Sequence, residues 1–475
     1  MRMIGTALLA TLFIGETISA GDFSADRLNN WHQWRGPEAN GTAPTANPPI
    51  QWDEQTNIRW KTDLPGEGTA TPIVWGDRIF IVTAIKTDRT GEPAVQPQEK
   101  QDARSETGTD GKTDDKPDAA APLQADQGAP QRRGSLRVIS RPSNYHQFVV
   151  VCIERATGMI LWQKIAREEV PHEGHHPDHG FASASPTTDG KLLYVSFGSR
   201  GIYCYHLDGN LRWERDLGDM RTRLSFGEGS SPTLYGDSLI VTWDHEGPSF
   251  ITALDAATGE TRWQVDRDEP SNWSTPLVVP HNGRTQVIVN GTNRARSYDL
   301  ATGELIWQCG GQTMNAIPAP VRSDALVYCM SGLRGKAVFA IPLDASGELT
   351  DTDRIAWQNK QISPYVPSPL VLDERIYFTD SNRPLLCCLD AKTGEVLMDR
   401  VRLPGLNSLY ASALGAGGKI YLVGRDGTAL VIKQATELEV LATNKLDEPI
   451  DASPVAVGKE LFLRGMKHLY CIAQE

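Results

Sequence analysis

Four of the ten histidines, His172, His175, His176 and His179, lie within eight residues of one another, with Glu173 and Asp178 among them. Imidazole and carboxylate together make a common ligand set for divalent metals. The spacing matches neither a helical zinc-protease motif nor a cysteine-containing finger, and the same side chains can equally tie down a loop by hydrogen bonds. The four histidines are therefore candidate metal ligands, with loop anchoring as the competing role. A second set is a candidate ligand-binding rim: Arg221, Arg223, Glu228, Asp244, His245, Glu246, Asn293, Arg294, Arg334, Arg425 and Asp426 fall in polar clusters between apolar runs. Asp244, His245 and Glu246 could add to the histidine set across the central opening, and Arg221, Arg223, Arg294 and Arg425 could bind a carboxylate-bearing ligand. Arginine forks bind carboxylates through paired hydrogen bonds, while solvated loop charge is the competing role for each member.

What must position these clusters is a repeat. The phrase Leu-Asp-Ala-Ala-Thr-Gly-Glu-Thr-Arg-Trp at 254–263 returns at 153–162, 298–307 and 389–398, with looser copies ending at Trp213 and Trp357. Each copy reads as strand, turn and strand, with Thr-Gly supplying the positive φ and alternation resuming towards Trp. Before each copy stands a second phrase: Ser/Thr-Pro or a close relative, an apolar run, a Gly-Asp-like turn, then Ile-Tyr or similar. It begins at residues 71, 185, 231, 275, 319, 368, 411 and 453. The prolines at 186, 232, 276, 320 and 369 are 46, 44, 44 and 49 residues apart, the spacing of four-stranded propeller blades. The expected fold is all-β, an eight-bladed β-propeller of four-stranded antiparallel blades.

Residues 1–20 combine Arg2, an apolar run over 4–14 and small residues at Ser19 and Ala20, which predicts a secretory signal peptide too short to span a bilayer. With no cysteine near the junction to carry a lipid, the chain is expected to be exported, periplasmic or secreted, without integral membrane contact. Residues 21–57 read as an extended leader. The run 57–61 resembles the final strand of a repeat, whereas the last repeat stops near 473 without one; the N-terminal strand should close the ring, leaving no free edge. The propeller then occupies 58–475, interrupted in its first blade by residues 86–146, whose polar composition predicts a disordered insertion or a linear motif.

A net charge of -12 argues against nucleic acid as partner, because neutralising phosphates takes a basic surface. Of the seven cysteines, Cys152, Cys204, Cys388 and Cys471 share one place in the third strand of their repeats, which predicts small buried fillers rather than cross-links. The chain is expected to act as a monomer. In a propeller, the loops entering each inner strand and those between second and third strands open on one face, which gathers the histidine and arginine clusters on one rim.

The Asp-Ala-x-Thr-Gly-Glu-x-x-Trp pattern resembles the repeat of the pyrroloquinoline quinone (PQQ)-like propeller family, whose members include quinoprotein dehydrogenases and non-enzymatic BamB-type assembly factors. Its wording is also similar to that of exported planctomycete members, over nearly all of the mature chain apart from the insertion. The resemblance implies that Trp162, Trp213, Trp263, Trp307 and Trp357 pack between neighbouring blades, with Met398 and Leu441 replacing tryptophan in blades six and seven. It also implies two functions: a scaffold binding a protein or small-molecule ligand on one propeller face, or a PQQ-dependent dehydrogenase with the quinone over the channel and calcium polarising it. The dehydrogenases resemble one another in an adjacent-cysteine disulfide and a Glu/Asn/Asp calcium set. Here the adjacent pair Cys387-Cys388 lies inside a repeat strand and no calcium set can be matched residue by residue. No catalytic residue is carried over, and the scaffold is the preferred expectation. A metal-dependent enzyme using the histidine rim is a third. The sequence establishes no cofactor; PQQ with calcium, or a divalent metal, are those its motifs allow.

Overall fold

The computed structural model describes residues 23–91 and 138–474. The signal-peptide expectation for 1–20, and residues 92–137 of the expected insertion, lie outside the described residues. Eight antiparallel units of four strands follow one another around a ring. Blade 1 runs through Ile73–Trp75, Arg78–Thr90, Asn144–Glu154 and Ile160–Glu169. Its central ladder continues out to Thr90 opposite Asn144, so regular pairing reaches into the interval 86–146 from both sides. Blade 8 takes three strands from the C-terminal end and its outer strand, Ile58–Asp63, from the N-terminal end, with Trp60 opposite Cys471. The ring is closed by an N-terminal strand, as expected. Two blades carry a fifth strand in parallel pairing: Gly347–Glu348 beside Leu305–Gly310, and Thr42–Ala43 beside Leu414–Ala416.

The repeated phrase does two jobs at once. In the turn after Asp255, the carboxylate accepts the amides of Ala257 and Thr258 at 2.9 and 3.0 Å, and Gly259 takes φ +75°. This is an Asx-type turn that a residue with a Cβ enters only at a cost. The glycine also leaves room for the preceding blade: a Cβ on Gly259 would stand 2.7 Å from the Trp213 ring, and one on Gly394 2.6 Å from Trp357. Each indole then donates across the blade interface, Trp213 to the Ala256 carbonyl at 3.0 Å and Trp263 to the Leu300 carbonyl at 2.8 Å. Trp60, Trp162 and Trp357 do the same to Arg155, Leu207 and Ala391. Trp307 is fully buried, and its Nε1 has no partner among the described residues.

Opposite each tryptophan the third strand carries a small residue. Cys152 faces Trp162, Cys204 faces Trp213, Ala253 faces Trp263 and Ala340 faces Trp357. The shared cysteine position is thus a volume constraint set by the ring across the strand. All seven cysteines are buried and free. In blade 7 the ladder places Ala442, opposite Val431, where blades 1 to 5 and 8 have tryptophan and blade 6 has Met398, one residue beyond the Leu441 that the sequence suggested. The leader supplies the missing ring: Trp52, 3% exposed, stacks on Tyr421 at 6.4 Å, much as Trp213 packs on Tyr194 at 6.1 Å.

The Ser/Thr-Pro phrase forms a belt around the axis. The amides of Thr71, Ser185, Ser231, Ser368, Ser412 and Ser453 each donate to the hydroxyl one blade further on, at 2.9 to 3.1 Å, and Ser453 closes the circle on Thr71. Ala319 donates to Ser368 at 3.0 Å but has no hydroxyl to offer Thr275. The leader crosses the opposite opening of the ring. Trp31 bridges to Val74, the His32 carbonyl accepts from Thr188, and Arg35 donates to the carbonyls of Ala413 and Pro369. It therefore joins the inner strands of blades 1 and 2 to those of blades 6 and 7.

Candidate functional site

The inner strands and the loops above them surround a central funnel of about 480 Å³, within the size range of small-ligand sites. All eight blades contribute. The hydroxyls of Thr71, Ser185, Ser231, Thr275, Ser412 and Ser453 ring the wall; Leu224, Phe226, Trp273, Met314, Leu333 and Tyr365 make it largely apolar; Trp34 of the leader lines it as well. Trp34 also borders a small void beneath, shared with Thr275, so the leader ring lies at the narrow end. The Trp273 indole is fixed by the Gly227 carbonyl at 2.7 Å.

Two cations face this space without a counter-charge. Arg223 and Arg334 both line the funnel, and the guanidinium of neither has a hydrogen-bond or ion-pair partner among the described residues. Their backbone is strained: Arg334 has φ +55°, and Leu224 and Ser225, directly after Arg223, have φ +53° and +57°. Side-chain-bearing residues adopt this region at about 1 kcal/mol or more each. The strain is held by His176 donating to the Phe226 carbonyl at 3.0 Å and Ile139 donating to that of Leu224 at 3.1 Å. On the far side the charges are matched. Arg425 bridges Asp451 at 2.8 Å and Asp178 at 2.8 Å, and it lies over the Tyr410 ring at 3.9 Å. The Tyr410 hydroxyl donates to Asp178 at 3.0 Å. Hydrogen bonding from Arg425 holds the Asp178 carboxyl below the usual range, and burial pushes the Tyr410 hydroxyl up to about 12. The loop carrying the histidines is thereby pinned from blade 2 to blade 7 across the funnel.

The other rim residues are spent on structure. Asp244 is fully buried against Arg267, at 2.7 Å. His245 accepts the Arg221 amide at 2.9 Å and donates to the Pro248 carbonyl at 3.1 Å, while Arg221 reaches the Glu246 carbonyl at 3.0 Å. Asn293 and Arg294 are tied to Glu269 and Asp268, and Asp426 to Thr428 and Lys445. Glu228 sits outside the funnel and accepts the amide and hydroxyl of Ser199 at 2.7 and 2.6 Å. Burial raises its carboxyl to about 7, and Glu173 is raised for the same reason.

The four histidines do not share one centre. His175 turns edge-on to Phe181 and bonds the His176 carbonyl; His176 lies edge-on to Phe226 at the funnel; His179 accepts the Gly180 amide at 2.8 Å, and burial lowers it to about 4. Among the described residues, the metal-capable grouping is His172 with Glu173 and Glu228, ligand atoms within 4.8 Å of one another. Each of these atoms is already engaged. Arg200, a donor only, lies 3.0 Å from His172 Nδ1, so that nitrogen accepts, and Nε2 carries the proton it donates to the Met220 carbonyl at 2.6 Å. A ligating histidine needs the reverse, a free nitrogen towards the metal and an acceptor behind. The cysteine device of the dehydrogenases does not fit either. Cys387 packs into the core between blades 5 and 6 and Cys388 into that between blades 6 and 7, on opposite faces of one strand, and neither lines the funnel. The funnel carboxylates Asp178 and Asp451 are held by a guanidinium rather than open to calcium.

Of these features, the sequence singled out Arg223, Arg334 and Arg425 but offered no way to tell the free ones from the clamped one. The roles of Trp34 and Tyr410 went unread because their partners stand in other blades.

The family model for outer membrane protein assembly factor BamB matches residues 146–400, over half of the chain. A curated relative, outer membrane protein assembly factor BamB of Yersinia pestis, is 23% identical over 328 residues, 64% of this chain and 76% of the relative. Among solved structures, quinohemoprotein alcohol dehydrogenase of Comamonas testosteroni superposes over 96% of this chain and 83% of its own with a TM-score of 0.60 at 10% identity. A europium-containing methanol dehydrogenase covers 93% and 90% with a TM-score of 0.59 at 9% identity. At these identities the structural likeness speaks for the fold alone.

Proposed function

This chain belongs to the BamB-type family of PQQ-like repeat propellers, and from that premise we propose that it is an exported binding module that grips a carboxylate-bearing segment of a partner protein in its funnel. The observation that carries the reading is the pair of guanidinium groups, Arg223 and Arg334, without partners among the described residues, on the wall of a largely apolar funnel. Arg223 is half-buried and Arg334 exposed at the funnel, so both forks are open to an incoming carboxylate, which gains charge-assisted hydrogen bonds from them. The strained backbone at Arg334 and at Leu224 and Ser225, directly after Arg223, suits a preformed clamp, since strain of this kind concentrates at ligand sites. The assembly role in the relatives' name supports a protein as the partner, and no helix among the described residues is long and apolar enough to cross a membrane.

Selection of displayed peptides against the purified chain is the test. The expected result is enrichment of sequences placing Asp or Glu, or a free C-terminal carboxylate, beside aromatic and aliphatic residues. Affinity should fall about tenfold or more in Arg223→Ala and in Arg334→Ala, the loss of a charged hydrogen bond. Enrichment without acidic groups, or binding retained when both arginines are removed, overturns the reading. Titration with PQQ and calcium should leave the visible spectrum that of free quinone; a stoichiometric bound-quinone spectrum would put the dehydrogenase reading in its place.

A further inference from the structure

On the face opposite the funnel mouth, where the hairpins joining first and second strands emerge, lies a groove of about 1000 Å³. The leader forms one wall and turns of blades 1 to 5 the other. Its charges balance: Asp26, Glu38 and Asp189 stand against Arg27, Lys191 and Arg322. Glu38 is shared between Arg27 at 2.8 Å and Arg322 at 3.7 Å. The groove's three acidic and three basic side chains thus sum to no net charge.

Beside these groups are aromatic surfaces. Phe23 stacks on Trp75 at 5.4 Å with 19° between the rings, and His32 stands edge-on to both. Across the groove Tyr235 is 37% exposed, and its hydroxyl has no partner among the described residues. His32 is only 4% exposed, yet its Nδ1 has no hydrogen-bond partner among the described residues. Burial lowers its basicity to about 3, so the ring is neutral at ordinary pH, with one donor and one acceptor nitrogen.

We propose that this groove binds a neutral oligosaccharide. Sugar hydroxyls both donate and accept, so they match a wall where carboxylates, guanidinium groups, an ammonium and a neutral imidazole alternate without net charge. The C–H face of a pyranose packs on accessible aromatic rings, here the exposed Tyr235 and the half-buried Phe23. A charged ligand would instead leave one set of these groups opposed. An apolar one would strand six charged side chains out of water.

The experiment uses the full chain on an array of neutral and acidic oligosaccharides, followed by calorimetry on the tightest neutral binder. Expected are binding of a neutral oligosaccharide and a loss of about tenfold in Tyr235→Ala, the size of one stacking contact with its buried area. Tyr235→Phe should lose less, and Arg334→Ala should bind as wild type, which separates this groove from the funnel. Melting of each variant is followed in parallel, and Lys191→Ala, on an exposed turn, serves as a second probe should Tyr235→Ala melt early. Binding of acidic sugars alone, no neutral binder at millimolar concentration, or affinity unchanged in both Tyr235→Ala and Lys191→Ala overturns the proposal.

Discussion

Asp244 and Arg267 are fully buried, joined by two hydrogen bonds of 2.7 and 2.9 Å, and completed by Tyr298 and Asn272. Such a pair contributes little net stability over an apolar substitute, but losing one partner strands the other. Asp244→Ala should lower the unfolding free energy by about 3–5 kcal/mol in urea titrations, while peptide binding in the funnel is unchanged at temperatures where the variant is folded. An equal loss of binding would return Asp244 to the ligand site. Glu228 tests the opposite case. Its folded carboxyl is raised from 4.5 to about 7 by burial. The protonated form is therefore favoured in the fold, and that contribution is complete below pH 4.5 and lost as pH climbs through about 7. Glu228→Gln should remove up to about 3 kcal/mol of this decline between pH 5 and 8. His179, lowered to about 4, works in the other direction, adding stability above its ordinary range that is lost as pH falls through 4. A variant whose stability varies with pH as steeply as wild type would show Glu228 to be solvated. The sequence marked Asp244, Glu228 and Arg334 alike as polar loop residues; only depth and partners, which depend on the packing of neighbouring blades, separate a buried pair from a free cation.

At the scale of elements, the leader acts as part of the propeller. Trp52 packs where blade 7 has Ala442 in place of tryptophan, and its backbone amide is held by Asn444 at 2.9 Å. Trp52→Ala should cost about 3–5 kcal/mol, the range for emptying a large aromatic site. If thermal melting falls by less than a surface substitution's worth, the leader ring is dispensable. Removing residues 57–61 takes out most of the strand that closes blade 8 and exposes an unpaired edge; the expected result is a large drop in melting temperature with aggregation. The hydroxyl belt offers a gain rather than a loss. Ala319→Ser should supply the acceptor that Thr275 lacks and add about 1 kcal/mol, the usual net value of one hydrogen bond. No change in the denaturation midpoint would mean that Thr275 is already satisfied by solvent. The repeat phrase made the strands, turns and tryptophan positions legible, because each is set by residues a few positions apart. It did not reveal the belt, since a Ser-Pro dipeptide shows its partner only when the next blade is in place.

Across the whole molecule, the clamp of Asp178 on Arg425 and Tyr410 joins residues 247 and 232 positions apart and holds the histidine loop over the funnel. Asp178→Ala should raise amide exchange in residues 172–179 by about tenfold or more, local opening being governed by such contacts, with the blades' exchange unchanged. Protection that stays as in wild type would show the loop held by its own hydrogen bonds. The eight blades, the closing strand and the cysteines as buried fillers were all readable from the chain, because a repeated unit that buries its faces against copies of itself must write the same apolar and turn pattern each time. The leader's path across the axis, the free state of Arg223 and Arg334 and the balanced groove beneath were decided by the tertiary structure. Each depends on which side chains a closed ring brings together from distant blades, and no periodicity along the chain encodes that proximity.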